Sequence, residues 1–291
     1  MTKRTLHPNV EGSLWMVAAM LGFALEDSFF KASTETLPIG QAIVLMGAIG
    51  ALIFSLLARR TDQALFVPEV TSRPMLIRVV FEFTGRLFFF LAIALAPLSS
   101  ATVILQATPI VVVAGAALFL GETVGWRRWV AIAIGMVGVL IVLNPQGDSF
   151  TWLSGFAVLG MLGFAGRDLA SRAAPASLTT CILGFYGFLT IVAAGVAYRF
   201  WSGETFMTVT YENGVQIVLS AVFGVLGYSS LMKAMRTGEI SAVAPFRYSR
   251  LLMGLAIGVL WFGEDLTLRM MIGSAIIIFS GLFLLWRGKR A

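Results

Sequence analysis

Apolar residues in this chain come in long continuous runs rather than in the strict alternation of a half-buried strand. A bilayer core about 30 Å thick needs about 20 apolar residues per helix, and the runs divide at that spacing. The pattern predicts ten spans, at residues 12–33, 38–58, 74–96, 99–120, 126–143, 150–171, 177–199, 213–236, 239–261 and 267–286. Breaks fall at helix-stopping chemistry: Leu37-Pro38, Arg73-Pro74, Ala96-Pro97, Asn144-Pro145 with Gly147, Ala174-Pro175 and Thr237-Gly238. Continuous runs favour helices over a barrel, because a helix satisfies its backbone groups within its own segment. The first run has no short apolar core followed by a small-residue cleavage site, so it reads as a retained span and not a signal peptide.

A repeat gives these spans a geometry. Leu21-Gly-Phe-Ala-Leu-Glu-Asp-Ser-Phe-Phe-Lys31-Ala returns as Leu162-Gly-Phe-Ala-Gly-Arg-Asp-Leu-Ala-Ser-Arg172-Ala, a shift of 162 − 21 = 141 residues. Gly121-Glu122 after span four matches Gly263-Glu264 after span nine, a shift of 263 − 121 = 142. Each unit therefore holds five helices. An odd number starts the second unit on the opposite face, so the expected fold is an all-α membrane protein of ten transmembrane helices in two inverted five-helix repeats. The predicted boundaries are a cytoplasmic N-tail over 1–11, repeats over 12–143 and 150–286, and a cytoplasmic C-tail over 287–291. Inverted repeats are a transporter signature, because two halves that exchange conformations open a midplane site to each side in turn.

Composition agrees with lipid as the solvent. The chain is 58% hydrophobic and 12% charged, whereas a soluble globule carries about 25% charged residues. The single His7 lies in the N-terminal tail and the single Cys181 inside an apolar run, which excludes clustered Cys/His metal sites, disulfides and histidine relays. No cofactor is expected. The net charge of +6 is scattered through loops, so nucleic acid is not an expected partner. Expected partners are a small-molecule substrate and membrane lipids, with a monomer sufficient. A cytoplasmic N-terminus puts Lys3, Arg4, Arg59, Arg60, Arg73, Arg127, Arg128, Arg172, Lys233, Arg236, Arg287, Lys289 and Arg290 on the inner side, with only Lys31, Arg199 and Arg269 outside. Both termini are thus expected in the cytoplasm.

Ala94-Leu-Ala-Pro-Leu-Ser-Ser-Ala-Thr, Pro109, Leu120-Gly-Glu122, Trp126-Arg-Arg-Trp129 and Gly135-Met-Val-Gly138 resemble the drug/metabolite transporter superfamily, EamA type. Ile240-Ser-Ala-Val-Ala-Pro-Phe-Arg-Tyr248, Phe262-Gly-Glu264 and Ile272-Gly-Ser repeat the pattern more loosely, with Leu251 at the position aligned with Pro109. The resemblance covers residues 12 to 286 and implies export of small metabolites from the bacterial inner membrane. In the YddG-type branch it implies amino acids, aromatic ones included; organic-cation drugs are the alternative. An enzyme is disfavoured, because the loops are short, no nucleophile sits beside a base, and no phosphate-binding glycine loop appears.

Ionisable residues inside spans are the candidate chemistry. Asp27 with Lys31 and Asp168 with Arg172 are spaced i, i+4 and can pair locally. Span three carries Arg78, Glu82 and Arg86 at successive i+4 steps, a charged stripe that cannot face acyl chains. Arg86 is about 18 Å, Arg250 about 16 Å, and Glu26 and Asp27 about 21 to 23 Å from the inner ends of their helices. Two readings stand. Glu26, Asp27, Glu82, Arg86, Arg247 and Arg250 form an internal salt-bridge network, or an arginine holds a substrate carboxylate while Glu82 or Glu26 holds its ammonium. In the second, Phe83, Gln106 and Tyr248 add contacts, and Glu82 and Glu26 are candidate proton carriers. Pro109 and Pro245 predict kinks suited to gating. Phe88-Phe-Phe90 reads as packing or lipid-facing, and Glu122 as a charge beside the N-terminus of the helix that follows it.

Overall fold

Helices form along the apolar runs, because a backbone in lipid must satisfy its own donors and acceptors. The computed structural model describes residues 7–95, 104–105, 107–143, 154–175, 177–262, 268, 271–276 and 278–280. Its helices are α1 (Pro8–Thr34), α2 (Ile39–Arg60), α3 (Arg73–Leu95), α4 (Thr108–Phe119), α5 (Trp126–Leu143), α6 (Ser154–Ala173), α7 (Thr180–Ser202) and α8 (Tyr211–Thr237). A helical turn over Ile240–Val243 and a 3-10 segment over Ala244–Tyr248 then lead into α9 (Ser249–Phe262). Residues 271–276 and 278–280 are helical and form α10. Of these, α1, α2, α7 and α8 are long and apolar enough to cross a membrane by length and composition alone. Local chemistry sets their ends. Thr179 and Thr210 accept hydrogen bonds from the backbone N–H groups of Ile182 and Asn213, and Gly203 closes α7 at φ 71°, a left-handed conformation that suits glycine.

The halves meet through three helix pairs: α1 on α8, α3 on α6 and α2 on α7. Two crossings are made by glycines. A Cβ on Gly22 would lie 2.7 Å from Gly227 Cα, and one on Gly163 would lie 2.3 Å from Gly85 N. These contacts are images of each other, since 163 − 22 = 141 and 227 − 85 = 142. Glycine serves here because backbones touch where no hydrophobic drive operates between helices in lipid. Each pair is antiparallel: Gly47 faces Val192 while Gly195 faces Val44. Because α2 runs against both α1 and α7, and α7 runs against α6, α1 and α6 point in opposite directions. The inverted arrangement follows from this pairing.

Two spans depart from simple rods. The described part of span four resumes as helix at Thr108, after a turn at Ala107, and Pro109 occupies its first turn, where a missing N–H interrupts nothing. Pro245 lies inside the 3-10 segment that splits span nine. Neither proline kinks a continuous helix, as the sequence suggested; each marks a break. The polar ends hold the halves together. At one end Glu122 accepts from the backbone N–H groups of Ile240 (2.9 Å) and Ser241 (3.2 Å), so the Gly-Glu corner caps the ninth span and not its own successor. Arg128 pairs with Glu239, and Asn9 Oδ1 accepts from Glu239 N. At the other end Gln41 and Met207 exchange two bonds of 2.8 Å, and Thr36 donates to Asn213.

Candidate functional site

The stripe on α3 turns inward and meets charges from α1, α6 and the broken ninth span. Glu82, fully buried, accepts from Arg78 Nη2 (3.1 Å) and Arg167 Nη1 (3.2 Å), with Arg86 Nε at 3.5 Å. Arg86 Nη1 donates to Glu26 at 2.8 Å. Arg167 also holds Asp168, whose second oxygen accepts from Arg247, and Asp27 accepts from Arg250. Five arginines thus face four carboxylates, leaving one positive charge in excess. A bare cation at this depth costs at least about 2.5 to 3.5 kcal/mol, which explains why every one of these arginines has a carboxylate partner.

Neither expected i, i+4 pair forms. Asp27 reaches across to Arg250 instead of Lys31, and Asp168 takes Arg167 and Arg247 while Arg172 donates to Met235 O (2.8 Å). The physical reason is burial: an interhelical partner neutralises a carboxylate in the interior, whereas the local cations lie one turn nearer the helix ends.

A cavity of about 30 Å³ lies at the seam, lined by Met20, Phe23, Arg86, Phe89, Leu105, Thr108, Phe164, Arg167, Arg247 and Arg250. It has room for about two water molecules, so this state is narrow and must widen to admit a metabolite. Leu105 and Thr108 belong to the break in span four, Arg247 and Arg250 to the break in span nine. Discontinuous helices paired across an inverted repeat are where transporters place substrate.

The arginines differ in what they have left to give. Arg78 donates through Nε to Ser171 Oγ (3.0 Å) and through Nη2 to Leu183 O (2.9 Å) and Glu82, which bolts α3 to α6 and α7. Arg167 is equally committed, with Nε and Nη2 on Asp168 and Nη1 on Glu82. Arg86 Nε and Nη2 and Arg247 Nε are buried without a hydrogen-bond partner. Aromatic faces support the cations: Arg86 lies 5.9 Å from the Phe23 centroid and 5.8 Å from that of Phe164, and Arg250 5.5 Å from that of Phe89.

Of the residues singled out in the sequence, Arg86, Arg247 and Arg250 line the cavity, and Glu26, Asp27 and Asp168 hold those arginines from behind. Glu82 is the hub of the network and does not line the cavity. Phe83 is half-buried and also absent from the lining. Tyr248 points the other way, donating to Ile132 O (3.2 Å) and packing where Gly135 leaves room on α5. Gln106 lies outside the described residues. Sequence reading missed Arg167, Phe23, Phe164, Phe89 and Thr108. The repeat carried a signal for two of them: Phe23 and Phe164 occupy equivalent positions, since 164 − 23 = 141.

Ten helices in inverted halves, with a polar cavity at paired helix breaks, define a multi-pass membrane carrier. The model of the EamA-like transporter family matches residues 10–144 and again 151–287, and the chain belongs to that family. The riboflavin transporter of Rhizobium johnstonii is 28% identical over 95% of this chain and 91% of its own length. The pseudopaline exporter of Pseudomonas aeruginosa is 27% identical over 92% of this chain and 93% of its own. The S-adenosylmethionine uptake transporter of Rickettsia bellii is 28% identical over 76% of each chain. One solved crystal structure superposes with a TM-score of 0.77 at 17% identity, covering 97% of this chain and 99% of that one, and shows the same fold. The protein is a membrane transporter of the drug/metabolite type.

Proposed function

We propose that this transporter exports small carboxylate-bearing metabolites, amino acids among them, across a bacterial inner membrane by alternating access through the arginine-lined cavity. The observation that carries this reading is that Arg86 and Arg247, which line the cavity at the seam between two broken helices, keep buried guanidinium N–H groups without a hydrogen-bond partner, Arg86 Nη2 and Arg247 Nε. A substrate carboxylate would accept from these donors, which are charge-assisted and so stronger than neutral hydrogen bonds. Phe23, Phe89 and Phe164 would cover its apolar part. Glu26 Oε2 has no hydrogen-bond partner but is buried behind the lining, and Glu82 is already taken by two arginines. The segments around Ala107 and Ala244–Tyr248 would bend to widen the cavity toward each face in turn. With the basic loops inward, both termini lie in the cytoplasm. Four arginines in the wall weigh against organic cations as cargo.

Counterflow of radiolabelled amino acids in proteoliposomes tests the proposal, with Arg86→Gln and Arg250→Gln as the variants. Flux that both variants leave at the wild-type rate would show that solute does not pass this cavity. Efflux from cells expressing the protein, compared with the empty vector, tests direction.

A further inference from the structure

The walls of the cavity are chemically one-sided. Among the described residues four arginines line it, and no acidic side chain does. Each carboxylate of the network is turned elsewhere: Glu26, Glu82 and Asp168 are fully buried, and Asp27 is tied to Arg250. Glu26 Oε2 has no partner, but Glu26 is fully buried and does not line the cavity, and its Oε1 is held by Arg86. The donors left over, Arg86 Nη2 and Arg247 Nε, both call for an acceptor. The five arginines exceed the four carboxylates by one, so a bound monoanion would bring the interior to neutrality. A zwitterion would leave the excess in place and set an ammonium beside guanidinium groups, with its own solvation lost.

Resting on the reading above, we propose that the cavity selects flat, aromatic monocarboxylates without an amino group over the matching amino acids, and rejects the matching amines. The carboxylate sits on Arg86 and Arg247, and the ring lies among Phe23, Phe89 and Phe164. Edge-to-face and offset contacts of such rings add affinity beyond area burial, which is why a flat body is favoured over a branched aliphatic one. The α-ammonium of an amino acid finds no acidic partner among the described lining residues and loses its water on entry.

The test compares three probes that share one skeleton: 3-phenylpropionate, phenylalanine and phenethylamine. Equilibrium binding to the purified wild-type protein in detergent is measured by calorimetry, and proteoliposome counterflow by radiolabel. Binding of 3-phenylpropionate at least about tenfold tighter than phenylalanine, with phenethylamine silent, is the expected result. Arg86→Gln is expected to weaken 3-phenylpropionate by about tenfold to a hundredfold. Phenylalanine binding as tightly as 3-phenylpropionate, or phenethylamine binding at all, overturns the selectivity and leaves the transport reading standing. Silence of all three probes while another amino acid is transported does the same. If no solute of any kind moves, both fall together. The wild-type series decides the matter even where Arg86→Gln does not fold.

Discussion

Replacing Glu82 by glutamine keeps the size of the side chain and removes the one negative charge shared by Arg78 and Arg167. The interior would then hold five arginines against three carboxylates, two positive charges in excess where the wild type has one. Taking one partner from a buried pair costs about 3 to 5 kcal/mol, because the remaining charge is left uncompensated. The amide oxygen of glutamine can still accept from one arginine, so the lower end applies, about 3 kcal/mol. Arg78→Met with Glu82→Leu removes a charge of each sign and restores the single excess, while Arg167 keeps Asp168 and Arg86 keeps Glu26. Exchanging a whole buried pair for apolar side chains of similar volume is often neutral, so the double variant is expected to be the more stable of the two by at least about 1 kcal/mol. Heat-induced loss of the monodisperse peak in detergent chromatography ranks the three proteins. Glu82→Gln as heat-resistant as the wild type, or the double variant worse than the single one, would refute the hub role of Glu82.

Three further outcomes follow from the contacts. Gly163→Val is expected to abolish monodisperse expression, because its Cβ would stand 2.3 Å from Gly85 N, whereas Gly155→Ala, with nothing within 4 Å, is expected to leave the elution profile unchanged. Glu122→Gln weakens the cap on Ile240 and Ser241 and should lower stability by about 0.5 to 2 kcal/mol, read as a fall in apparent melting temperature. Asp27→Asn should reduce both stability and flux by stranding Arg250, while Lys31→Gln should stay within about 0.5 kcal/mol of wild type in the same melt; equal damage from both would restore the local pair as the relevant one.

The number of helices and their inverted arrangement were legible because each rests on a property the chain repeats many times. Apolar runs of bilayer length mark the spans, and the shift from Leu21 to Leu162 marks the halves. Which charge meets which was not legible. Asp27 has Lys31 four residues away on its own helix and Arg250 across the bundle, and only the packing of α1 against the ninth span brings the second within reach. Glu122 likewise sits just before α5 in sequence but caps the other half. The prolines misled for a related reason: Pro109 and Pro245 show that a helix is perturbed, not whether it bends or ends. Phe89 was hidden inside an aromatic run, where nothing in the spacing separates a ring facing lipid from one facing the cavity.

The frame is close to two-fold and its charges are not. Arg247 and Arg250 fall on Leu105 and Thr108 under the repeat, since 247 − 105 = 142 and 250 − 108 = 142, and all four line the same cavity. Arg86 falls on Tyr228 and Glu26 on Arg167, with 228 − 86 = 142 and 167 − 26 = 141. When two inverted halves exchange shapes, the backbone of one state approximates the image of the other, but the arginines of the wall stay on spans three, six and nine. Under the alternating-access proposal, an anion leaving along span nine would pass two guanidinium groups, and one leaving along span four a leucine and a threonine. Two such exits would hold it unequally. Such an asymmetry cannot concentrate solute by itself, because the ratio of affinities at the two faces is offset by the ratio of turnover rates around a closed cycle. What it can do is set a different half-saturating concentration on each side. Converting Thr108 to arginine would narrow that difference, at the cost of a second uncompensated positive charge in the interior.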